Sequence, residues 1–98
     1  MTLPLDFRPE AVEEIDATFQ WYEEQRAGLG EEFFSAFLQQ LNRIQENPEG
    51  WAVLYRKVRA CPMRRFPYVI YYRLLSDRIN IIAVQHGHRH PRAWRRRT

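Results

Sequence analysis

The chain has 98 residues, of which 45% are hydrophobic and 28% charged, with a formal net charge of +3. This length predicts one domain, residues 1–98, and the composition excludes a disordered or fibrous chain. The longest apolar runs fall far short of the roughly 18 residues that cross a bilayer, no secretory leader pattern is visible, and Cys61 has no second cysteine to pair with. We expect a soluble cytoplasmic protein without a membrane partner.

The first half of the chain predicts a short strand followed by two helices. Apolar residues alternate over residues 3–7, which is typical of an edge strand. A helix is predicted from Pro9, which suits a first helical position, to Gly28, with apolar residues at helical spacing. A second helix is predicted over residues 31–46, ahead of an Asn-Pro pair. The short link between the helices makes them antiparallel.

The second half of the chain predicts strands, because the apolar period changes from 3.6 to 2. Strands are expected over residues 51–56, 58–61, 68–75 and 78–85, the last two forming a hairpin rich in β-branched and aromatic residues. The fold class is therefore α+β: an N-terminal strand and an antiparallel helical hairpin packed on one face of a twisted antiparallel β-sheet. Residues 86–97 are expected to leave the sheet as an exposed basic extension.

Charge is divided unequally between the two halves. Residues 1–50 carry a net charge of −8 and residues 51–98 a net charge of +11, and 14 of the 15 basic residues are arginine. Guanidinium groups form paired hydrogen bonds with phosphates and carboxylates, so the second half predicts a phosphate-rich or acidic macromolecular partner. A solvated basic face is the simpler alternative. Strand alternation would place Arg56 and Lys57 on opposite faces, and the adjacent Glu13 and Glu14 are expected to be solvated helix surface.

The C-terminal residues offer several kinds of chemistry. His86, His88 and His90 alternate as metal ligands could, but no carboxylate is near them in sequence, so we predict neither a metal nor a cofactor. His86 could act as a general acid or base in RNA cleavage, or simply end a strand with a backbone hydrogen bond. Trp94 could stack on a partner, or fold back to bury its indole against the sheet.

Several weak motifs occur in a specific order along nearly the whole chain. They are residues 11–15, 21–23 and 28–30 with Phe33, then Ile44 with Asn47 and Pro48, then residues 65–68 and 70–72, then Val84, His86, Arg89, Pro91 and Trp94. In this order the chain resembles the RelE/ParE superfamily of toxins from bacterial type II toxin-antitoxin modules. The resemblance implies the same α+β fold and a cognate antitoxin as partner.

The resemblance leaves two activities open. ParE-like members inhibit DNA gyrase and need no hydrolytic residues, whereas RelE-like members are ribosome-dependent mRNA endoribonucleases. A nuclease would use His86, Arg89 and Arg65, but Val69, Ile70 and Tyr71 stand where that branch has a mid-strand arginine. The chain is therefore closer to the ParE branch, and a binding protein is favoured over an enzyme. A relic that only titrates antitoxin is a third hypothesis.

The expected interaction residues fall into two sets. Target binding is assigned to Arg89, Trp94, Arg92 and Arg95, and antitoxin binding to Arg56, Arg59, Arg64, Arg65 and Tyr68. If the C-terminal extension is exposed, its deletion from Pro91 or the replacement of Trp94 by alanine abolishes toxicity and leaves the fold intact.

Overall fold

The computed structural model describes residues 2–98 and contains five strands and three helices in that range. In chain order they are β1 (Leu5–Phe7), α1 (Pro9–Gln25), α2 (Leu29–Glu46), β2 (Val53–Tyr55), β3 (Val58–Pro62), β4 (Tyr68–Leu74), β5 (Ile79–His86) and α3 (Arg92–Arg95). The strands form one sheet in the order β1-β5-β4-β3-β2. The predicted α+β class is confirmed. The sheet is mixed, however, because β1 pairs parallel with β5 and the other pairs are antiparallel.

The two long helices form the predicted antiparallel hairpin. Gly28 holds a left-handed φ of 89° just before α2, a conformation that glycine adopts without a steric penalty. Gly30 lies inside α2 rather than in the link, because the helices approach closely there: a Cβ at this position would meet the Phe19 carbonyl oxygen at 2.6 Å. The Gly30 amide donates to Glu23 Oε1 at 2.8 Å, which ties α2 to α1. Within residues 2–98 no helix combines the length and apolarity that crossing a membrane requires.

Each face of the sheet has its own apolar core. The helical hairpin covers one face, where Phe33, Ile44, Ile70 and Ile81 are fully buried. On the other face the buried side chains gather around Trp94 of α3; they are Val58, Tyr71, Ile82 and Ala83. The prediction that these residues leave the sheet is therefore wrong, although most of them are exposed. Helix α3 folds back and covers the face of the sheet that the long helices leave open, which confirms the alternative that Trp94 buries its indole against the sheet.

The link between β2 and β3 is a two-residue turn made of Arg56 and Lys57. Their φ angles are 48° and 66°, both in the left-handed region, as a type I′ hairpin turn requires. The prediction that strand alternation sends these two side chains to opposite faces is wrong, because the residues form the hairpin tip instead of continuing a strand.

A partly buried ion pair completes the unpaired edge of β5. Past the residues that pair with β1, this edge has no neighbouring strand within residues 2–98. There the Glu14 carboxylate accepts hydrogen bonds from the Val84 amide at 3.1 Å and from Gln85 Nε2 at 2.6 Å. Arg97 donates to both carboxylate oxygens of Glu14, at 2.8 and 3.0 Å, and to the Ile82 carbonyl at 3.1 Å. Glu14 is thus not solvated helix surface, as the sequence predicted, but the group that fastens the C-terminal residues to α1.

Candidate interaction surfaces

Most cations of the second half of the chain have no carboxylate partner within residues 2–98. Arg65, Arg78, Arg89 and Arg97 form ion pairs. The remaining eight basic side chains after residue 50 make no ion pair within residues 2–98; they are Arg56, Lys57, Arg59, Arg64, Arg73, Arg92, Arg95 and Arg96. Arg59 donates to backbone carbonyls and Arg73 is partly buried, and the other six are exposed and could meet an anionic partner.

The turn between β2 and β3 and helix α3 bring together a group that we call the Tyr55 cation cluster: Tyr55, Arg56, Lys57 and Arg95. The guanidinium carbons of Arg56 and Arg95 lie 5.3 and 4.6 Å from the centre of the Tyr55 ring. The sequence assigned Arg56 to antitoxin binding and Arg95 to target binding, and the structure places both on one aromatic ring. The cluster depends on the docking of α3, which the sequence offered only as one of two alternatives for Trp94.

The other predicted antitoxin-binding residues lie apart from this cluster. Arg64 and Arg65 follow the opposite end of β3, where Arg64 is exposed and Arg65 donates to Glu32 Oε1 at 2.8 Å. The hydrogen bonds from Arg65 and then Arg26 lower the pKa of the Glu32 carboxyl. Arg59 holds the chain before β2, since its Nη1 donates to the carbonyl oxygens of Glu49 and Trp51.

Tyr68, also assigned to antitoxin binding, is half-buried in an aromatic group. Its ring centre lies 6.2 Å from that of Tyr22 and 5.7 Å from that of Phe33, both on the helical hairpin. The five predicted antitoxin-binding residues are therefore spread over two ends of β3, and several of them already have intramolecular partners.

The three residues of the nuclease hypothesis are only partly assembled. His86 and Arg89 line a shallow pocket together with Glu14, Thr18 and Tyr68, and Arg65 is not among its lining residues. The His86 Nδ1 atom accepts a hydrogen bond from the His88 amide at 3.1 Å, so the neutral ring carries its proton on Nε2. Arg89 Nη1 stands 3.8 Å from Glu14 Oε2. The pocket thus holds one imidazole and one guanidinium, without the third residue that this hypothesis needs.

The other histidines do not join a metal site. His90 Nδ1 accepts a hydrogen bond from the Arg92 amide at 3.0 Å, which starts the turn into α3. The His86 and His88 rings lie 5.3 Å apart. Across residues 2–98, no three His, Cys, Asp or Glu side chains are grouped so that they could hold a metal ion.

The target-binding set is divided by burial. Arg89, Arg92 and Arg95 are exposed, and Trp94 is only 2% exposed. The Trp94 ring stacks on Tyr71 with centres 4.6 Å apart, so it has no free face to offer a partner. The expectation that Trp94 contacts a target directly does not fit this position: its indole holds α3 on the sheet and thereby positions the arginines beside it.

Sequence reasoning missed an apolar groove between α1 and α2. Val12, Phe34 and Leu38 are 44%, 40% and 45% exposed, and they line this groove above the buried Ile15 and Phe37. The apolar stripe of α2 is wider than the part of the helix that packs in the core, because Phe34 and Leu38 each follow a buried phenylalanine by one residue. The width of this stripe was the signal in the sequence that could have indicated the groove.

Cys61 is fully buried on β3, and burial raises the pKa of its thiol to about 11 from an ordinary value of 9.0. We expect this thiol to react with a disulfide reagent at pH 8 about 100-fold more slowly in the folded protein than in denaturant, because the thiolate fraction falls tenfold per pKa unit. Reaction at equal rates would contradict the burial.

The same shift predicts weaker folding in alkali. Between pH 9 and pH 11 the unfolded chain releases a thiol proton that the folded chain retains, so the free energy of unfolding falls across this window. Burial also raises the pKa of Tyr72, which acts in the same direction at higher pH. Chemical denaturation at a series of pH values measures the decline, and Cys61→Ala should remove the part that belongs to the thiol.

Comparison with known proteins agrees with this fold. Residues 5–91 match the sequence model described as the ParE toxin of the type II toxin-antitoxin system, parDE. Toxin ParE2 of Mycobacterium tuberculosis, from strains CDC 1551 / Oshkosh and ATCC 25618 / H37Rv, is 27% identical over 82 residues, which cover 83% of this chain and 78% of the relative.

A solved structure titled the chromosomal ParDE TA system from P. aeruginosa superposes with a TM-score of 0.76 at 17% identity, covering 87% of this chain and 96% of the other. At that identity the likeness concerns the fold. Helix α3 and Arg97 lie beyond the last residue of the family match. The match over most of the chain confirms the predicted ParE branch, and the chain belongs to the ParE toxin family of type II toxin-antitoxin systems.

Proposed function

We propose that this toxin arrests growth by inhibiting DNA gyrase and that a cognate antitoxin neutralises it. The family match over residues 5–91 carries the proposal. The surface supports it, since an inhibitor that acts by binding needs exposed recognition groups, and eight cations after residue 50 have no ion-pair partner within the described residues. Arg89, Arg92 and Arg95 supply exposed guanidinium groups on the side of the sheet that carries α3 or next to it.

For the antitoxin, we assign the apolar groove between α1 and α2 as a docking surface. Val12, Phe34 and Leu38 expose large apolar side chains there, as an amphipathic partner segment requires. The antitoxin of a toxin-antitoxin pair covers its toxin through a segment that orders on binding, and the apolar face of such a segment would lie in this groove. The groove therefore accounts for the apolar face of the partner.

Gyrase inhibition is tested with purified gyrase and relaxed plasmid. Excess toxin should block the introduction of negative supercoils and leave relaxation by a type I topoisomerase unaffected. The double variant Arg89→Ala/Arg92→Ala should relieve the block, whereas Arg43→Ala, an exposed arginine on α2, should not. Unchanged supercoiling by toxin that is folded and still binds antitoxin would refute the proposal. New codon-positioned ends in translated message would assign ribosome-dependent cleavage instead.

Docking of the antitoxin is tested by placing a charge in the groove. Leu38→Glu should leave growth arrest intact but prevent rescue by the antitoxin, because a carboxylate cannot be buried there without a partner. Gln39→Glu is the matched control: it adds the same charge one residue along α2 at an exposed position and should remain rescuable. Rescue of both variants would place the antitoxin elsewhere.

A further inference from the structure

We propose that the Tyr55 cation cluster binds the phosphate backbone of duplex DNA. Three observations carry this inference: the backbone conformation of the turn, the approach of two arginines to one ring without an ion pair in the described residues, and the separation of the cluster from the apolar groove. The inference rests on the proposed function for its setting, since gyrase holds duplex DNA, but binding to free duplex is measured without gyrase.

The turn holds two cations in a conformation that their residue types disfavour. Arg56 and Lys57 have φ angles of 48° and 66°. Such turns are ordinarily built from Asn-Gly or Asp-Gly, because a Cβ is strained in the left-handed region. Strained positions of this kind cluster at binding and catalytic sites. Here the strain fixes an arginine and a lysine, both exposed, at the tip of a hairpin.

The cations of the cluster lack anionic partners. Arg56 and Arg95 approach the same ring, at 5.3 and 4.6 Å from its centre, and neither forms an ion pair within residues 2–98. Arg73 is the register partner of Val58, the residue after the turn, and its buried Nε has no hydrogen-bond partner among the described residues. The two guanidinium groups beside the Tyr55 ring repel each other, and a bound polyanion relieves that repulsion.

The position of the cluster favours duplex DNA over an amphipathic acidic polypeptide. The cluster lies at the β2–β3 turn and on the short helix α3, whereas the apolar groove that an amphipathic peptide needs lies between α1 and α2, on the other side of the sheet. Guanidinium groups bind phosphate oxygens with paired hydrogen bonds, and a regular row of phosphates needs no apolar groove. We therefore expect binding that does not depend on DNA sequence.

The first test compares two variants that each lose one positive charge. Binding of a fluorescent 20-base-pair duplex is measured by anisotropy between 50 and 200 mM salt for wild type, Arg95→Gln and Arg43→Gln. Arg43 is an exposed arginine on α2, without an ion pair in the described range. Arg95→Gln should reduce the slope of log K against log salt by about 1, and Arg43→Gln should leave it unchanged. Equal losses in both variants would mean that only net charge matters and would overturn the inference.

The second test separates binding from stability. Arg56→Asn/Lys57→Gly relaxes the turn, so its melting temperature should equal or exceed that of wild type, while its slope should fall by about 2 and its affinity at least tenfold at 100 mM salt. Unchanged affinity in this stable variant would overturn the inference. The inference would also be overturned if poly-glutamate bound as tightly as the duplex and lost affinity in the same variants, because the site would then bind an acidic protein.

The DNA-binding tests and the gyrase assay can contradict the two proposals independently. A toxin that blocks supercoiling but does not bind free duplex overturns this inference and leaves the proposed function in place. A toxin that binds duplex through the Tyr55 cation cluster but does not block gyrase supports this inference and refutes the proposed target.

Discussion

Replacing Trp94 with alanine is expected to lower the free energy of unfolding by about 3–5 kcal/mol, the usual loss when a large buried aromatic side chain is removed. Trp94 is 2% exposed, stacks on Tyr71 at 4.6 Å and meets the edge of Tyr55 at 6.2 Å. A domain of this size has a total stability of about 5–15 kcal/mol, so the variant loses a large part of it. Urea denaturation of wild type and variant measures the difference.

Trp21→Ala is the matched control for this prediction. It removes the same side chain, but Trp21 is 54% exposed on α1, so we expect a loss of about 1 kcal/mol or less. Equal losses at the two positions, or an unchanged midpoint for Trp94→Ala, would contradict the packing of α3. If Trp94→Ala is destabilised as expected, a loss of toxicity in this variant reports unfolding or the release of α3, and not the removal of a contact with the target.

The helices and the β4–β5 hairpin could be predicted because each is encoded by a local pattern. The apolar spacing after Pro9 and the β-branched run from Ile79 to Val84 each fix a period within one segment. The partner of β1 could not be predicted in this way. The sequence of its three residues does not indicate whether they pair with a near or a distant strand. In the structure they pair in parallel with β5, more than 70 residues away.

The turn at Arg56 and Lys57 escaped prediction because its residues lack the usual turn chemistry. A sequence such as Asn-Gly would have indicated a hairpin, whereas two long cationic side chains indicate a continuing strand or a solvated loop. The resulting error affected the site directly. The alternation rule separated two side chains that the turn places together at one tip.

The free cations were predictable as a group but not one by one. The charge of +11 in residues 51–98 indicated an anionic partner. Which arginines are already engaged depends on long-range contacts, as for Arg65 with Glu32, 33 residues away. Trp94 shows the same limit: a lone tryptophan after a strand fits both a partner contact and a core position, and only the open second face of the sheet decides between them.

Glu14→Gln is expected to lower the free energy of unfolding by about 2 kcal/mol, somewhat less than the loss when a fully buried ion pair is broken, because this pair is partly buried. Glu14 and Arg97 are each 14% exposed, and the carboxylate also accepts the Val84 amide at the unpaired edge of β5. Glutamine keeps the shape but leaves the Arg97 charge without a counterion. The hydrogen bonds from Arg97 to Glu14 raise the pKa of this guanidinium, so it is charged at neutral pH.

Glu13→Gln is the matched control, because it removes the same charge from the neighbouring, exposed position on α1 and should change stability by less than about 0.5 kcal/mol. A buried pair is weakly screened by salt, so the loss in Glu14→Gln should persist in 0.5 M NaCl. Equal losses of stability in the two variants would mean that Glu14 is solvated helix surface, as the sequence predicted.

A double-mutant cycle locates the cause of the loss. Glu14→Gln is expected to destabilise the protein because it leaves the Arg97 charge unpaired. Adding Arg97→Gln removes that charge, so the free energy of unfolding of the double variant should fall by less than the sum of the two single losses. If the losses add, the two side chains act separately on β5. Arg97 comes three residues after Trp94, so a non-additive result would show that the Glu14–Arg97 pair acts as a unit that holds the residues after α3 at the edge of β5.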